Sequence, residues 1–192
     1  MPPDACSAPP AEPPLLERLS LRYDSTQDRV RLAGELNTGQ AAVLWLTQRL
    51  LLRLVPHLCR WLEQYGAPAG AAWAPMATPA QYLDAMQSFA QQAASQGMHA
   101  QPPVLPAPQT AHWLVDSVAV AQSAGLVKLV WASPDDAQQV GLVLRAQALR
   151  QWLIILERQW REAQWPMGVW PRWMQGAPPT SAEQADASTI PH

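Results

Sequence analysis

Leu19, Leu21 and Tyr23 alternate with Ser20, Arg22 and Asp24, the two-residue period of a strand with one buried face. Asp24-Ser25-Thr26-Gln27-Asp28 interrupts the alternation with short polar side chains that hydrogen-bond local backbone, a turn. Val30 and Leu32 then alternate with Arg29 and Arg31, Asn37-Thr38-Gly39 closes a second hairpin, and a third strand runs over 41–46. From Thr47 to Tyr65 the period changes. Leu50, Leu51, Leu54, Leu58, Trp61 and Leu62 fall at helical spacing and form a broad apolar stripe. Pro56 lies inside this pattern and predicts a kink, and Gly66 predicts the stop.

The same succession recurs further along the chain. Val30-Arg31-Leu32 falls on Val127-Lys128-Leu129 at an offset of 97 residues, Asn37-Thr38-Gly39 on Pro134-Asp135-Asp136, and Val43 on Val140. Few residues are identical; the order of strand, turn and helix is what repeats. The second set of strands is predicted over 114–121, 126–132 and 138–145, with turns at Ser123-Ala124-Gly125 and Ser133-Pro134-Asp135-Asp136. A helix over 146–163 follows, with Leu149, Trp152, Leu153, Leu156 and Trp160 on one face and Pro166 beyond its end. The predicted fold is therefore α+β: two pseudo-repeated antiparallel three-stranded meanders, each followed by a long helix, with a short extra helix in the connector.

That connector, residues 67–112, holds no Lys or Arg and a single acid, Asp84. Thr78-Pro79-Ala80-Gln81 has the form of a helix start, with an N-cap, a first-turn proline and a capping-box glutamine. Tyr82, Met86, Phe89 and Ala93 line one face of a helix over 79–96, which Gly97 ends. Four prolines in 100–110 predict an extended strap into the second sheet. The organisation read along the chain is a Pro-rich tail, 1–14; a first sheet-plus-helix unit, 15–66; the connector; a second unit, 113–164; a Trp/Pro strap, 165–174; and a second tail, 175–192. Both tails are poor in large apolar side chains and are expected to stay outside the fold.

Composition narrows the function. Charged residues make up 15% of the chain, against about 25% in an ordinary globular protein. Net charge is −2, and residues 1–66 carry seven cations and seven acids, so no lobe is built to coat nucleic acid by bulk charge. The richest apolar run, Leu50 to Leu62, is broken by Arg53, Pro56 and Arg60 and is shorter than the ~20 residues of a membrane span. The start offers no basic segment followed by an apolar run, so no secretory signal is read. Two distant cysteines, Cys6 and Cys59, are read as free thiols of a reducing compartment. The expected location is the cytoplasm.

The stretch Tyr23-Asp24 … Asp28-Arg29 … Leu44-Trp45-Leu46-Thr47-Gln48-Arg49-Leu50 resembles a pattern in small uncharacterised bacterial proteins. It covers under a fifth of the chain and carries over no site residues. The architecture resembles the Whirly-like and PUR-repeat class, in which antiparallel sheets of four strands are each followed by one helix and pairs of units assemble. Three strands per unit are read here rather than four, and none of that class's recognition motifs is present.

Chemistry-bearing groups are sparse. His57, His99, His112 and His192 form no metal-ligand spacing, the nine glycines make no phosphate loop, and no Gly-x-Ser-x-Gly elbow occurs. Cys59 and His57, two apart on a helix, point to different faces. Asp135-Asp136 fits a turn better than an acid/base pair. No catalytic residue, metal or cofactor is assigned, and the chain reads as a non-enzyme.

Two features remain as binding candidates. Arg22, Arg29 and Arg31 share the polar face of the first hairpin, while Arg49, Arg53, His57, Arg60 and Gln64 form one stripe along the first helix. Either could hold phosphates or an acidic partner, since guanidinium forks match both; either could equally be a solvated face. Trp160, Trp165, Trp170 and Trp173 cluster at the end of the last helix, with Pro166 and Pro171 between them. Three readings are open: a strap covering its own molecule, a docking surface, or a platform for base stacking. The leading expectation is a non-catalytic interaction or assembly protein, either a homo-oligomer or an adaptor to a protein partner. The alternative is a single-stranded nucleic-acid-binding protein working through Arg22, Arg29 and Arg31.

Overall fold

The computed structural model describes residues 12–65, 79–99, 101–123 and 125–175. Among the described residues the fold is α+β, with two sheets of strands and three helices. The elements run β1 (Leu16–Asp24), β2 (Arg29–Leu36), β3 (Ala41–Thr47), α1 (Gln48–Tyr65), α2 (Pro79–Gln96), β4 (Ala111–Leu114), β5 (Ser117–Gln122), β6 (Leu126–Ala132), β7 (Gln139–Arg145) and α3 (Ala146–Glu162). Two short 3-10 turns, Met167–Val169 and Arg172–Met174, follow. Gly66, Thr78, Ala124 and the tails 1–11 and 176–192 lie outside the described residues, and with them the stop, the N-cap and the loose ends that the sequence predicts there.

The chain divides into two compact units, Met1–Leu50 with Pro102–Leu144, and Leu51–Gln101 with Arg145–His192. The sequence groups each meander with the helix that follows it; the spatial units instead gather strands with strands and helices with helices. In the first unit one sheet has the order β1-β2-β3-β4 and the other β5-β6-β7. β1, β2 and β3 are antiparallel neighbours, whereas β4 runs parallel to β3, with Val43 opposite His112. The strand predicted over 114–121 is therefore two strands in two sheets. The switch falls between them: Val115 N–H donates to the Trp45 carbonyl of the first sheet at 3.0 Å, and Asp116 N–H to Ala132 of the second at 3.0 Å.

Turn chemistry follows the side chains. One carboxylate oxygen of Asp24 accepts from the N–H groups of Thr26 and Gln27 at 3.0 and 2.9 Å, and Asp28 takes a left-handed φ of 48°. Gly39 supplies the left-handed φ of 79° in the second hairpin. The inner face of the first sheet, with Leu21, Val30, Leu32, Leu44 and Leu46, is buried. Its outer face carries a small apolar patch of its own. Ala33 and Val43 are covered by Val104 of the proline strap, whose N–H donates to Ser20 Oγ at 2.8 Å. The N-terminal boundary also shifts. Gly141 N–H donates to the Pro14 carbonyl at 2.8 Å, and Leu15 bridges to Gly141. A Cβ on residue 141 would lie 2.6 Å from the tip of the Leu15 side chain, which would have to turn aside to admit it. Pro14, which the sequence assigns to the tail, is thus bonded to the fold together with Leu15.

In the second unit α1 buries Leu51, Leu54, Val55, Leu58, Cys59, Trp61 and Leu62. Thr47 Oγ1 accepts the Leu50 N–H at 3.2 Å, an N-cap bond. The helix runs through Pro56 without interruption; the carbonyl that loses its donor belongs to Leu52, whose side chain is exposed. α3 buries Leu149, Trp152, Leu153, Leu156 and Trp160 as its spacing predicts. It ends in a Schellman motif: Trp165 N–H returns to the Trp160 carbonyl and Gln164 N–H to Arg161, with Gln164 at φ 56°.

Placement of the α1 faces has a direct stability consequence. Leu54→Ala removes a buried side chain and is expected to cost about 2–5 kcal/mol in denaturant unfolding. Arg53→Ala, on the exposed face, is expected to stay within about 0.5 kcal/mol of the parent chain. Equal losses would mean that the helix is rotated relative to this description.

Candidate functional site

The polar centre of the helical unit is Arg150. Its position on α3 lies just beside the apolar arc, and its side chain is 2% exposed. A guanidinium taken out of water needs acceptors for its N–H groups. Helix α2 supplies them. Arg150 Nη2 donates to Gln87 Oε1, while Nη1 donates to Gln91 Oε1 at 3.3 Å and to the Gln87 carbonyl at 3.5 Å. The guanidinium carbon lies 5.3 Å from the ring centre of Trp173, a cation–π contact. Trp173 Nε1 in turn donates to Glu63 Oε1 at 3.0 Å, which ties the C-terminal strap to α1. Gln87 Nε2 donates to the Leu62 carbonyl at 3.2 Å.

Burial holds the Arg150 pKa down at about 10, with Cys59 opposing the shift. Burial likewise pushes the Cys59 thiol up to about 12. The Glu63 carboxylate acts in the same direction, and Arg150 against it. This thiol is a protonated core group, the opposite of a poised nucleophile.

Trp160 of α3 and the three strap tryptophans, Trp165, Trp170 and Trp173, are all buried in the helical unit. Trp160 meets Trp165 edge-on at 5.0 Å and Trp170 edge-on at 5.6 Å. Trp160 Nε1 donates to the Pro166 carbonyl at 3.1 Å. Their burial matches the reading in which the strap covers its own molecule. As a docking surface or a stacking platform they offer no free ring faces in this structure.

Sequence reasoning missed Arg150, Gln87, Gln91 and Glu63. One signal was available: Gln87, Gln91 and Ala94 fall at the spacing of a buried helix face. α2 turns that polar face inward. The stripe predicted from Tyr82, Met86, Phe89 and Ala93 exists, but it points away from the core: Tyr82 and Met86 are half-buried, and Ala93 and Phe89 are exposed. Phe89, the chain's one phenylalanine, is 69% exposed. Next to it a depression of about 880 Å³ is bounded by α2, by Ile154 and Glu157 of α3, and by Arg172–Met174 of the strap.

The arginines of the strand unit are where alternation predicts. Arg22 lies directly across from Arg31, and Arg31 across from Trp45, all on the outer face of the first sheet. Arg29 lies between Asp24 and Thr47 on the same face. Arg18 on this face is paired with Glu35 at 2.8 Å; among the described residues, neither Arg22 nor Arg31 has an acid in salt-bridge range. Like charges directly opposite on neighbouring strands repel, so this pair favours an anion. A depression of about 540 Å³ opens between Arg22, Arg31, Trp45 and the Asp24–Thr26 turn. On α1, Arg49, Arg53, His57, Arg60 and Gln64 are all exposed.

Among the described residues, no three or more His, Cys, Asp or Glu side chains are grouped to hold a metal ion. Among them, too, no helix is long and apolar enough to cross a membrane. No family model, curated protein or solved structure matches this chain.

Two outcomes test the buried centre. Arg150→Met leaves the two glutamine oxygens without donors and is expected to cost about 2–5 kcal/mol, most of it recovered when Gln87 and Gln91 are also made leucine. Additive losses in the triple variant would rule out a coupled network. The second outcome is pH dependence. The unfolded thiol ionises near 9 and the folded one near 12, so stability is full below 9 and falls as pH rises toward 12. Arg150 works in the opposite direction only above about 10. Urea midpoints at pH 8 and pH 10 should therefore drop less for Cys59→Ala than for the parent chain.

Proposed function

We propose that this chain is a non-catalytic interaction or assembly protein, and that the exposed stripe of α2 is its principal contact surface. The observation that supports this reading is the inverted amphipathicity of α2. Its glutamines serve Arg150, and the ring of Phe89 faces water. An exposed apolar stripe beside a groove is a recurrent docking geometry for a partner helix. The tryptophans contribute by making the groove wall rigid rather than by touching the partner. Arg49, Arg53 and Arg60 give the neighbouring helix a polar face suited to the rim of an interface. In this reading the two meander-plus-helix runs are a pseudo-repeat, a pairing supported by their shared element order. A cytoplasmic location accords with the free thiol of Cys59.

Phe89→Glu tests the proposal. Because the ring is exposed, the variant should keep its melting temperature within a few degrees while losing capture of the partner that wild type retains in crosslinking from native lysate. A melting loss comparable to that of Leu54→Ala would mean that the stripe is covered by this chain itself.

A second reading is favoured by one specific observation, the Arg22–Arg31 pair beside Trp45. Two guanidiniums and an indole on one sheet face suit a phosphodiester and a stacked base of single-stranded nucleic acid. Labelled oligothymidine would then bind with a log–log salt slope of about −1.4, from two phosphates at roughly −0.7 each. Arg31→Ala should reduce that slope by about half. Anisotropy that stays flat at low salt would remove the reading.

A further inference from the structure

The second sheet ends in an open edge. β5 pairs with β6 on one side, and no strand lies on its other side among the described residues. Its sequence, Ser-Val-Ala-Val-Ala-Gln, contains no charge and no proline, and five of its six residues are exposed. Soluble proteins protect such edges with charges, prolines, bulges or covering segments, because unpaired N–H and C=O groups template the addition of another strand. The other edges here are protected. β1 carries Glu17, Arg18, Arg22 and Asp24; β7 is bonded by Pro14 and Leu15; β4 is only four residues long.

The register fixes which backbone groups are free. Ser123 N–H donates to the Leu126 carbonyl, and the same register makes Ala121 with Lys128, Ala119 with Val130 and Ser117 with Ala132 the hydrogen-bonded pairs. The main-chain groups of Val118, Val120 and Gln122 therefore point outward. The side chains of Val118 and Val120 lie opposite the fully or largely buried Trp131 and Leu129 but are themselves only partly covered. The edge is short of both hydrogen bonds and apolar cover.

We propose that a second copy of this chain occupies it, β5 against β5, antiparallel about a twofold axis at Val120, joining two three-stranded sheets into one. The strand is its own complement in this arrangement. Val120 pairs with Val120 and Val118 with Gln122, giving about six main-chain hydrogen bonds. Ala119 meets Ala121 on the outer side, where small side chains raise no clash, and an uncharged strand brings no like-charge repulsion to itself. The half-covered valines gain a neighbour on the inner side. One strand pair buries less than the ~1,200–2,000 Å² of a stable interface, so the dimer is concentration-dependent, with a Kd on the order of tens of micromolar. This surface is distinct from α2; the proposal deepens the assembly reading by naming one partner, the chain itself.

The test is sedimentation equilibrium of the full chain from about 5 to 500 µM, a range chosen to bracket that Kd. The expected result is a monomer–dimer equilibrium, with amide exchange at Val118 and Val120 slowing as concentration rises. Val120→Pro removes an outward N–H without touching the β6 ladder and should raise the Kd more than tenfold at unchanged melting temperature. Ala119→Lys, which sets like charges across the junction, should do the same and stands in if the proline variant misfolds. A monomer throughout the range overturns the proposal, as does a dimer indifferent to both variants. A dimer lost only in Phe89→Glu also overturns it, while leaving the reading of α2 standing.

Discussion

Burying one guanidinium organises the helical unit. Desolvating a charge of this kind costs several kcal/mol unless hydrogen bonds and polarisable groups take the place of water. Around Arg150 that role falls to two glutamine side chains, a backbone carbonyl and an indole face. Each has a structural consequence. The glutamines fix the rotation of α2, because Gln87 and Gln91 must face inward together. The indole fixes the strap, because Trp173 can lie over the guanidinium only if the chain turns back after α3. Glu63 then receives the indole N–H and brings α1 into the same network. The exposure of Phe89 is the remainder of this arrangement rather than an independent choice: a helix that spends one face on an arginine has only the other left for its apolar side chains.

The tryptophans show how composition misleads when it is read without context. Four rings spaced by prolines suggest stickiness, yet prolines also make a short segment stiff enough to fold back at low entropic cost. Gln164, in a left-handed conformation, turns the chain at the end of α3, and the rings meet edge to face around Trp160. They supply core volume to a unit in which three helices enclose a charged centre.

Much of the fold was legible because the relevant forces are local. Alternation located β3, β6 and β7 to within a residue and found the alternating centre of β1 and the start of β2, helical spacing gave α1 and α3, and the Pro-first start gave α2. The arginine face followed from the same alternation, since side chains two apart share a face. What could not be read depends on partners distant along the chain. A four-residue β4 carries too little periodicity to announce itself, and its parallel pairing with β3 is a tertiary event. Arg150 sits between Leu149 and Trp152 and looks like the rim of an apolar stripe; only the approach of α2 makes it central. The orientation of α2 failed for the same reason. Apolar periodicity identifies a stripe but not whether the core wants it, and here a buried charge outbid Phe89.

The chain leaves the strand unit at Leu50, returns at Pro102, and leaves again at Leu144. Each unit is thus made of two separated stretches threaded through the other's sequence. No single cut yields either one whole, and a fragment ending after α1 would lack both β4 and the Val104 cover. Synthesis order matters for the same reason. The first meander closes through short turns, but β4 joins β3 across 69 residues, from Ala42 to Ala111. Closing a loop of that length costs about 2 kcal/mol more than closing a five-residue turn. The first sheet is therefore completed late, after the connector and α2 have been made, and until then the β3 edge stands open on the nascent chain.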